Sequence, residues 1–491
     1  MTAPVGEGPH GPHGAGGAPA RPHGLLSAAY RGLVVGLLAI VTCSAFEAMA
    51  VTTAMPVVAA DLGGERAYGL AFSLFLTASL AATAAAGPWC DRAGPRPSLL
   101  VGLVLMTGGL VLAGGAGDFG VFTLGRMVSG AGTGFMIVPL YVIIGQALPS
   151  ALQPVLFSWF SAAWVLPSLV GPYISGLLAQ HASWRWVFFG VAPIVIAAVV
   201  LTWPRVRGLG APEETTLVPG EGRRRALLGV LLAAGVAAAQ WAAQSWSDPG
   251  ARATVPAAVL AAVVLCGVAA VAATAPRLMP RGVARVARGL PAVMVVRGLL
   301  TLAFFGAEAF IPLMLVDAYG LEPSVAGLAL TGGALGWTVG SFVQARGWLA
   351  KPTFLVLGSV VLTVGLGSIA AVVAAAAAPW LLAIAWFLAG AGMGLATTTT
   401  SVLVLDLSEA VDRGRNSASL QMADMLGGVM GTAGAGTLYS LLLTPEAVPG
   451  PGVFALLAGA LTLSAFLSAF AGARSAAPAA ATSTAADEDL A

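Results

Sequence analysis

The sequence predicts an all-α polytopic membrane protein. Fourteen transmembrane helices would form two six-helix bundles (pseudo-symmetric halves) plus an inserted two-helix hairpin. Three observations predict this. Hydrophobic residues make up 58% of the 491 residues and charged residues only 9%, where soluble domains carry roughly 25% charge. Runs long enough to cross about 30 Å of hydrocarbon occur fourteen times. Three short segments also recur at nearly equal offsets, as related halves would: "SGAGTG" at 129–134 with "AGAGMG" at 389–394, "YGLAFS" at 68–73 with "AGLALT" at 326–331, and "FEA" at 46–48 with "AEA" at 307–309. The offsets are 260, 258 and 261.

In chain order, residues 1–31 form a Gly-, Pro- and His-rich tail, expected to be disordered and cytoplasmic. No apolar core lies near Met1, so it is no signal peptide. Its His10, His13 and His23 offer at most weak metal affinity. An N-terminal bundle follows over 32–203, with spans at 32–59, 68–88, 97–115, 119–147, 155–179 and 185–203. Residues 204–290 are the insertion, two spans at 225–243 and 254–275 between basic cytoplasmic loops. The C-terminal bundle covers 291–473, with spans at 291–316, 323–345, 353–374, 379–404, 416–443 and 451–473. A second polar tail, 474–491, closes the chain. Sixty-four glycines suit helices that approach closely in lipid. Cys43, Cys90 and Cys266 fall within or at the ends of apolar runs, in no disulfide or metal pattern.

Charge sets the orientation. With the amino end inside, eighteen basic residues fall in inner segments and three outside, Arg66, Arg185 and Arg252. That bias puts both termini in the cytoplasm. The Arg-, Ala- and Gly-rich composition suggests a bacterium, and hence the inner membrane. Nucleic acid is not an expected partner. The bilayer is, and the chain is expected to work as a monomer.

The sharpest motif is "GPWCDRAGPRP" at 87–97, read as a short inner loop between the second and third spans. Gly87, Asp91, Arg92, Gly94 and Arg96 follow the order of the signature loop of the major facilitator superfamily, which the chain resembles; Pro97 replaces a further basic residue. A plain basic turn would not need Asp91. The resemblance implies a gate: Asp91 accepts hydrogen bonds at the amino end of a helix in the other half, where the dipole is positive. "RNSASLQ" at 415–421 offers Asn416 and Ser417 as cap-type residues there. The latch would be closed in the outward-facing state.

Charges within spans carry the chemistry. Glu47 stands in an uncharged run, roughly 22 Å from the inner end of its span, and Arg126 in "GRMVSGAGTG" roughly 10 Å from the outer end of the fourth. These depths nearly coincide, so a pair, direct or through water, would make both tolerable; alternatively Arg126 only bonds backbone carbonyls. The family has an Arg at this place, associated with proton coupling. Glu308 echoes Glu47 in the second half and has no partner by depth. Asp424 and Arg297 lie at similar inner depths and could form a structural pair. Asp61, Asp317 and Asp406 sit near span ends and read as solvated. No histidine lies in a span, so proton work falls to carboxylates. Thr52, Thr53 and Met55, with Thr397 to Thr400, are candidate cavity residues, though ordinary helix packing explains them equally.

"WVLPSLVGPYISG" at 164–176 contains Gly171, Pro172 and Gly176. These resemble the fifth-helix motif of exporters, especially drug–proton antiporters, with Pro167 and Ser175 where glycines are expected. Gly-Pro kinks a helix. "HASWRWVFFGVAP" at 181–193 resembles the fifth-to-sixth loop, with Trp184 and Trp186 suited to an interfacial belt.

The resemblance implies a fourteen-helix multidrug efflux antiporter. It would export lipophilic, cationic small molecules in exchange for protons by alternating access, with proton and substrate competing for Glu47 and Glu308. No catalytic constellation, metal or cofactor is expected; the proton gradient is the drive. An exporter dedicated to a lipid or endogenous natural product would use the same machinery. A non-transporting sensor would want hydrophilic signalling domains, and an importer would not want the Gly-Pro motif. No GxxxxGK[ST] loop for ATP is present.

Overall fold

The computed structural model describes residues 25–149, 152–210, 221–247, 249–409, 412–443 and 450–476. The tail histidines lie outside the described residues. Fourteen long helices follow one another: α1 Arg31–Leu62, α2 Tyr68–Ala93, α3 Pro95–Gly114, α4 Phe119–Ala147, α5 Gln153–His181, α6 Arg185–Val206, α7 Glu221–Ser247, α8 Ala257–Leu278, α9 Leu290–Asp317, α10 Pro323–Ala345, α11 Lys351–Ala374, α12 Trp380–Asp406, α13 Arg413–Leu442 and α14 Pro451–Gly472. Breaks interrupt α6 at Gly190 and α9 at Ala309–Phe310. Among the described residues, twelve helices are long and apolar enough to cross a membrane. The other two long helices are α5 and α13, of 29 and 30 residues. Inner and outer ends are named below from the distribution of basic residues.

The boundaries have local causes. Gly63 ends α1 in the left-handed region at φ 65°, where a side chain would strain the backbone. The expected inner loop at 87–97 is not a loop. α2 stays helical through Asp91 and Arg92, and Gly94 alone turns the chain, at φ 76°. Its amide donates to the Cys90 carbonyl at 2.9 Å, and Pro95 then opens α3. Proline is well suited to a first helical turn, which asks nothing of its missing N–H. α13 likewise begins earlier than expected, at Arg413. Asn416 therefore lies inside the helix and is no cap; its amide donates to Ser408 Oγ at 2.8 Å.

Glycines set the packing inside each half. A Cβ at Gly130 or Gly134 would strike the backbone of α2, and one at Gly125 or Gly132 the backbone of α3. α4 is thus wedged between α2 and α3, and its remaining face turns to α1. In the second half, Gly390 and Gly394 meet α10 while Gly392 meets α11. α12 therefore repeats the wedge, and the repeated segments are repeated contacts.

The named contacts between the halves lie at the outer side or near the middle. Gly69 of α2 meets Gly436 of α13, and Gly176 of α5 meets Ser324 of α10. The Tyr68 hydroxyl donates to the Ala309 carbonyl at 3.0 Å. Its ring lies 5.2 Å from Phe310 and 6.4 Å from Tyr439. These rings are buried and cross from one bundle to the other. α7 covers the line where α2 meets α13: Leu232, Ala233 and Val236 of α7 pack with Leu80 of α2 and Val429 of α13. α8 lies outside it, with only Leu260, Gly267 and Thr274 buried.

Candidate proton and substrate site

Glu47 and Arg126 meet directly. Arg126 Nη1 donates to Glu47 Oε1 at 2.7 Å, and Ser129 Oγ donates to the same oxygen at 2.8 Å. Ser129 follows Arg126 by three residues, so the two share a helix face. The glycine contacts of α4 aim that face at α1. Phe75 of α2 lies beneath the guanidinium, 4.3 Å from its carbon to the ring centroid. Glu47 is 1% exposed and Arg126 2%. Two polar atoms of the pair, Glu47 Oε2 and Arg126 Nε, make no hydrogen bond. The reading of Arg126 as a donor to backbone carbonyls alone is therefore replaced by an ion pair.

This burial corrects one expectation. In this conformation no substrate can touch Glu47, so direct competition there needs another conformation. An open carboxylate oxygen in a dry site can still take a proton. That would leave both hydrogen bonds at Oε1 but discharge the one counter-charge that Arg126 meets among the described residues. A buried cation without its partner costs about 3–5 kcal/mol, enough to favour another packing of α1 against α4.

Glu308 is different. It is half-buried at the break in α9 and has no hydrogen bond or ion pair among the described residues. Spacings of three and four residues place it on one face with Phe305 and Thr301. That face looks toward α13 and α2: a Cβ at Gly428 would lie near Thr301, Phe305 and Leu76. Phe305 also lies 6.4 Å from Trp337, centroid to centroid.

Lower on the same helix, Arg297 Nε donates to Asp424 Oδ1 at 2.5 Å. Its Nη1 reaches the Thr397 carbonyl at 3.0 Å and Thr400 Oγ1 at 3.1 Å, and Thr301 Oγ1 donates to Asp424 at 2.8 Å. The side chains are 12% and 24% exposed. The expected Arg297–Asp424 pair is thus made, partly open and tied to the threonine run.

The remaining residues separate from this site. Gly87 has open space around it. Asp91 has no hydrogen bond or ion pair among the described residues, and Asn416 is engaged with Ser408. Arg96 donates to the Arg207 carbonyl at 3.4 Å and lies over Trp203. Gly171 faces Phe46, Gly176 faces Ser324, and the Pro172 carbonyl lies against Gly327. The Gly-Pro motif therefore belongs to the outer contact between bundles. Thr52, Thr53 and Met55 are buried; Thr53 packs toward Gly327, so these three are packing residues in this conformation. Asp61 is exposed and accepts from Trp184 and Arg185, Asp406 pairs with Lys351, and Asp317 is half-buried. Trp184 is buried under Phe122 and Phe188, leaving Trp186 as the exposed belt residue. Ser129 and Phe75 were missed from the sequence; only Ser129, three residues after Arg126, carried a signal.

Comparison with known proteins gives the following likenesses. The profile of the Major Facilitator Superfamily matches residues 37–305. A "probable multidrug-efflux transporter" of Mycobacterium tuberculosis is 25% identical over 442 residues, covering 87% of this chain and 92% of that protein. The "multidrug efflux pump SdrM" of Staphylococcus aureus is 22% identical over 417 residues, covering 83% and 89%. Among solved structures, a POT family transporter in complex with a thioalcohol-conjugated peptide aligns with a TM-score of 0.64 at 15% identity, covering 89% of this chain and 95% of that one. That likeness concerns the fold alone.

Proposed function

The chain belongs to the major facilitator superfamily and is a membrane transporter, and we propose that it exports lipophilic, cationic small molecules in exchange for protons by alternating access. The observation that carries this reading is the dry Glu47–Arg126 pair with its open Oε2. It is a group that can hold a proton and change the packing of α1 when it does. The names of the multidrug-efflux relatives support the substrate class. Glu308, half-buried and unpaired beside Phe305, suits the attraction of a cation.

In the same reading all fourteen long helices cross a bacterial inner membrane, with both termini inside. Residues 32–203 and 291–473 are the moving bundles, 204–290 the insertion, and the protein works as a monomer without a cofactor. The conformation, with the Asp91 latch open and aromatic packing between the halves outside, corresponds to an inward-facing state. Asp91, Arg92 and Arg96 act at the inner gate, and Gly171, Pro172 and Gly176 at the outer contact. The experiment is reconstitution in liposomes with an imposed pH gradient and ethidium as a lipophilic cation. Uphill ethidium movement coupled to proton flux is expected. Ethidium movement that ignores the pH gradient would remove proton exchange from the account.

A further inference from the structure

Between the α1–α2 turn, α4 and the outer end of α7 lies a cavity of about 710 Å³. Its walls are apolar, with Leu70 and Leu74 on one side and Leu124 and Met127 on the other. Its rim is polar: Glu65, Arg66 and Gln244. From Arg66 to Leu74 is eight residues, about 12 Å along a helix, so the polar end lies at headgroup level and the rest within hydrocarbon. This is the shape of an amphiphile standing in the outer leaflet.

The rim says which amphiphile. Three basic residues lie at the outer side. Arg185 is held by Asp61, the Ala116 carbonyl and the Trp184 ring, and Arg252 by the Trp246 carbonyl and ring. Arg66 has no side-chain partner among the described residues. Its carbonyl is taken by Gln244 Nε2 at 2.7 Å, which fixes the rim from the hairpin. Beside it Glu65 carries the opposite charge, and Asp317 is close enough to interact with Glu65. A cation next to an anion at headgroup level matches a phosphate next to an ammonium that still has N–H groups to donate.

We infer that this cavity binds one outer-leaflet phospholipid of the phosphatidylethanolamine type, phosphate on Arg66, ammonium on Glu65 and an acyl chain between α2 and α4, with the hairpin completing the site. This goes beyond the export reading and rests on it only for the orientation, with both termini inside. The test is native mass spectrometry of the delipidated full-length protein titrated with phosphatidylethanolamine, phosphatidylcholine and phosphatidylglycerol of matched chains. One ethanolamine lipid should bind about tenfold more tightly than either other lipid, the effect of one charge-assisted hydrogen bond. Arg66→Ala and Leu74→Trp should each weaken that binding by about tenfold, while Val339→Trp, on the exposed face of α10, should not. Arg66→Ala alters only the rim and serves if Leu74→Trp fails to fold. Equal binding of the three lipids, or binding unchanged in Arg66→Ala, overturns the inference. Displacement of the lipid by ethidium would also overturn it, giving the cavity to the exported substrate.

Discussion

Arg126 on α4 and Trp386 on α12 occupy equivalent places, 260 residues apart, each four residues before a run of three alternate glycines that seat its helix, Gly130, Gly132 and Gly134 in one and Gly390, Gly392 and Gly394 in the other. In the first bundle the place holds a cation paired with Glu47. In the second it holds an indole stacked on Phe304, centroids 4.5 Å apart at 16°, and Gly333 makes room for the indole. One architecture thus carries an ion pair in one half and an aromatic stack in the other. Only the first can respond to a proton, and the second half keeps its carboxylates, Glu308 and Asp424, at less buried places.

The Glu47→Gln variant tests the assignment of proton coupling. The amide keeps the shape and a hydrogen bond from Ser129 but cannot exchange a proton. The protein should insert, and should still exchange substrate down its gradient, but lose uphill export. Uphill export surviving in Glu47→Gln liposomes would falsify the role given to this residue.

Thermal melts of purified variants separate pairing from simple burial. Arg126→Leu alone leaves the Glu47 charge buried without its partner, and should cost about 3–5 kcal/mol. Adding Glu47→Leu removes that charge, so the double variant should recover most of the loss. A double variant no more stable than Arg126→Leu would mean the pair is not what holds α1 to α4.

Asp91 has no hydrogen bond or ion pair among the described residues, so its effect should fall on the other conformation of the cycle. Asp91→Asn is expected to slow turnover while leaving substrate affinity within about threefold, less than 1 kcal/mol. A large affinity loss at normal turnover would instead place Asp91 in substrate binding.

Much of this was legible in the sequence. The all-helical membrane character and the Glu47–Arg126 pair follow from apolar length and matching depth, because lipid enforces both. The helical course of 87–93 was not, because a gap in hydrophobicity looks the same whether the chain loops or extends a polar helical turn beyond the membrane. The burial of Thr53 was hidden for a related reason: a small hydroxyl residue can face a cavity or a neighbouring backbone, and only the position of Gly327 decides. The Tyr68, Phe310 and Tyr439 cluster joins residues hundreds of positions apart, and no local pattern announces it.

The outer contact makes its own prediction. A Cβ at Gly69 would lie 2.4 Å from the Gly436 backbone, and one at Gly176 2.5 Å from that of Ser324. Gly69→Val and Gly176→Val should therefore push the halves apart at the outer side and shift the population outward. In variants with a single cysteine at Thr301, labelling by a membrane-impermeant maleimide added from outside should rise at least several-fold. No change in labelling would show that the outer contact yields without opening.

The hairpin decides how much of the chain the transport cycle needs. α7 buries Leu232 and Val236 against Leu80 and Val429, and Gln240 Nε2 reaches Thr77 Oγ1 at 3.3 Å. Neither tie leaves a costly orphan when removed. Lipid tails are as apolar as the leucines they would replace, and Thr77 Oγ1 already donates to the Ser73 carbonyl at 2.6 Å. α7 and α8 also contribute no acid to the membrane interior beyond Glu221 at the inner start of α7. Replacing 221–278 by a polar linker should therefore leave export per inserted molecule within about tenfold, while lowering the melting temperature and abolishing the selective binding of phosphatidylethanolamine that Gln244 helps to frame. Transport must be counted per folded molecule, by binding-competent protein in the same liposomes. A well-folded deletion with no export at all would make the hairpin part of the moving machinery, and the two-bundle mechanism would have to include it.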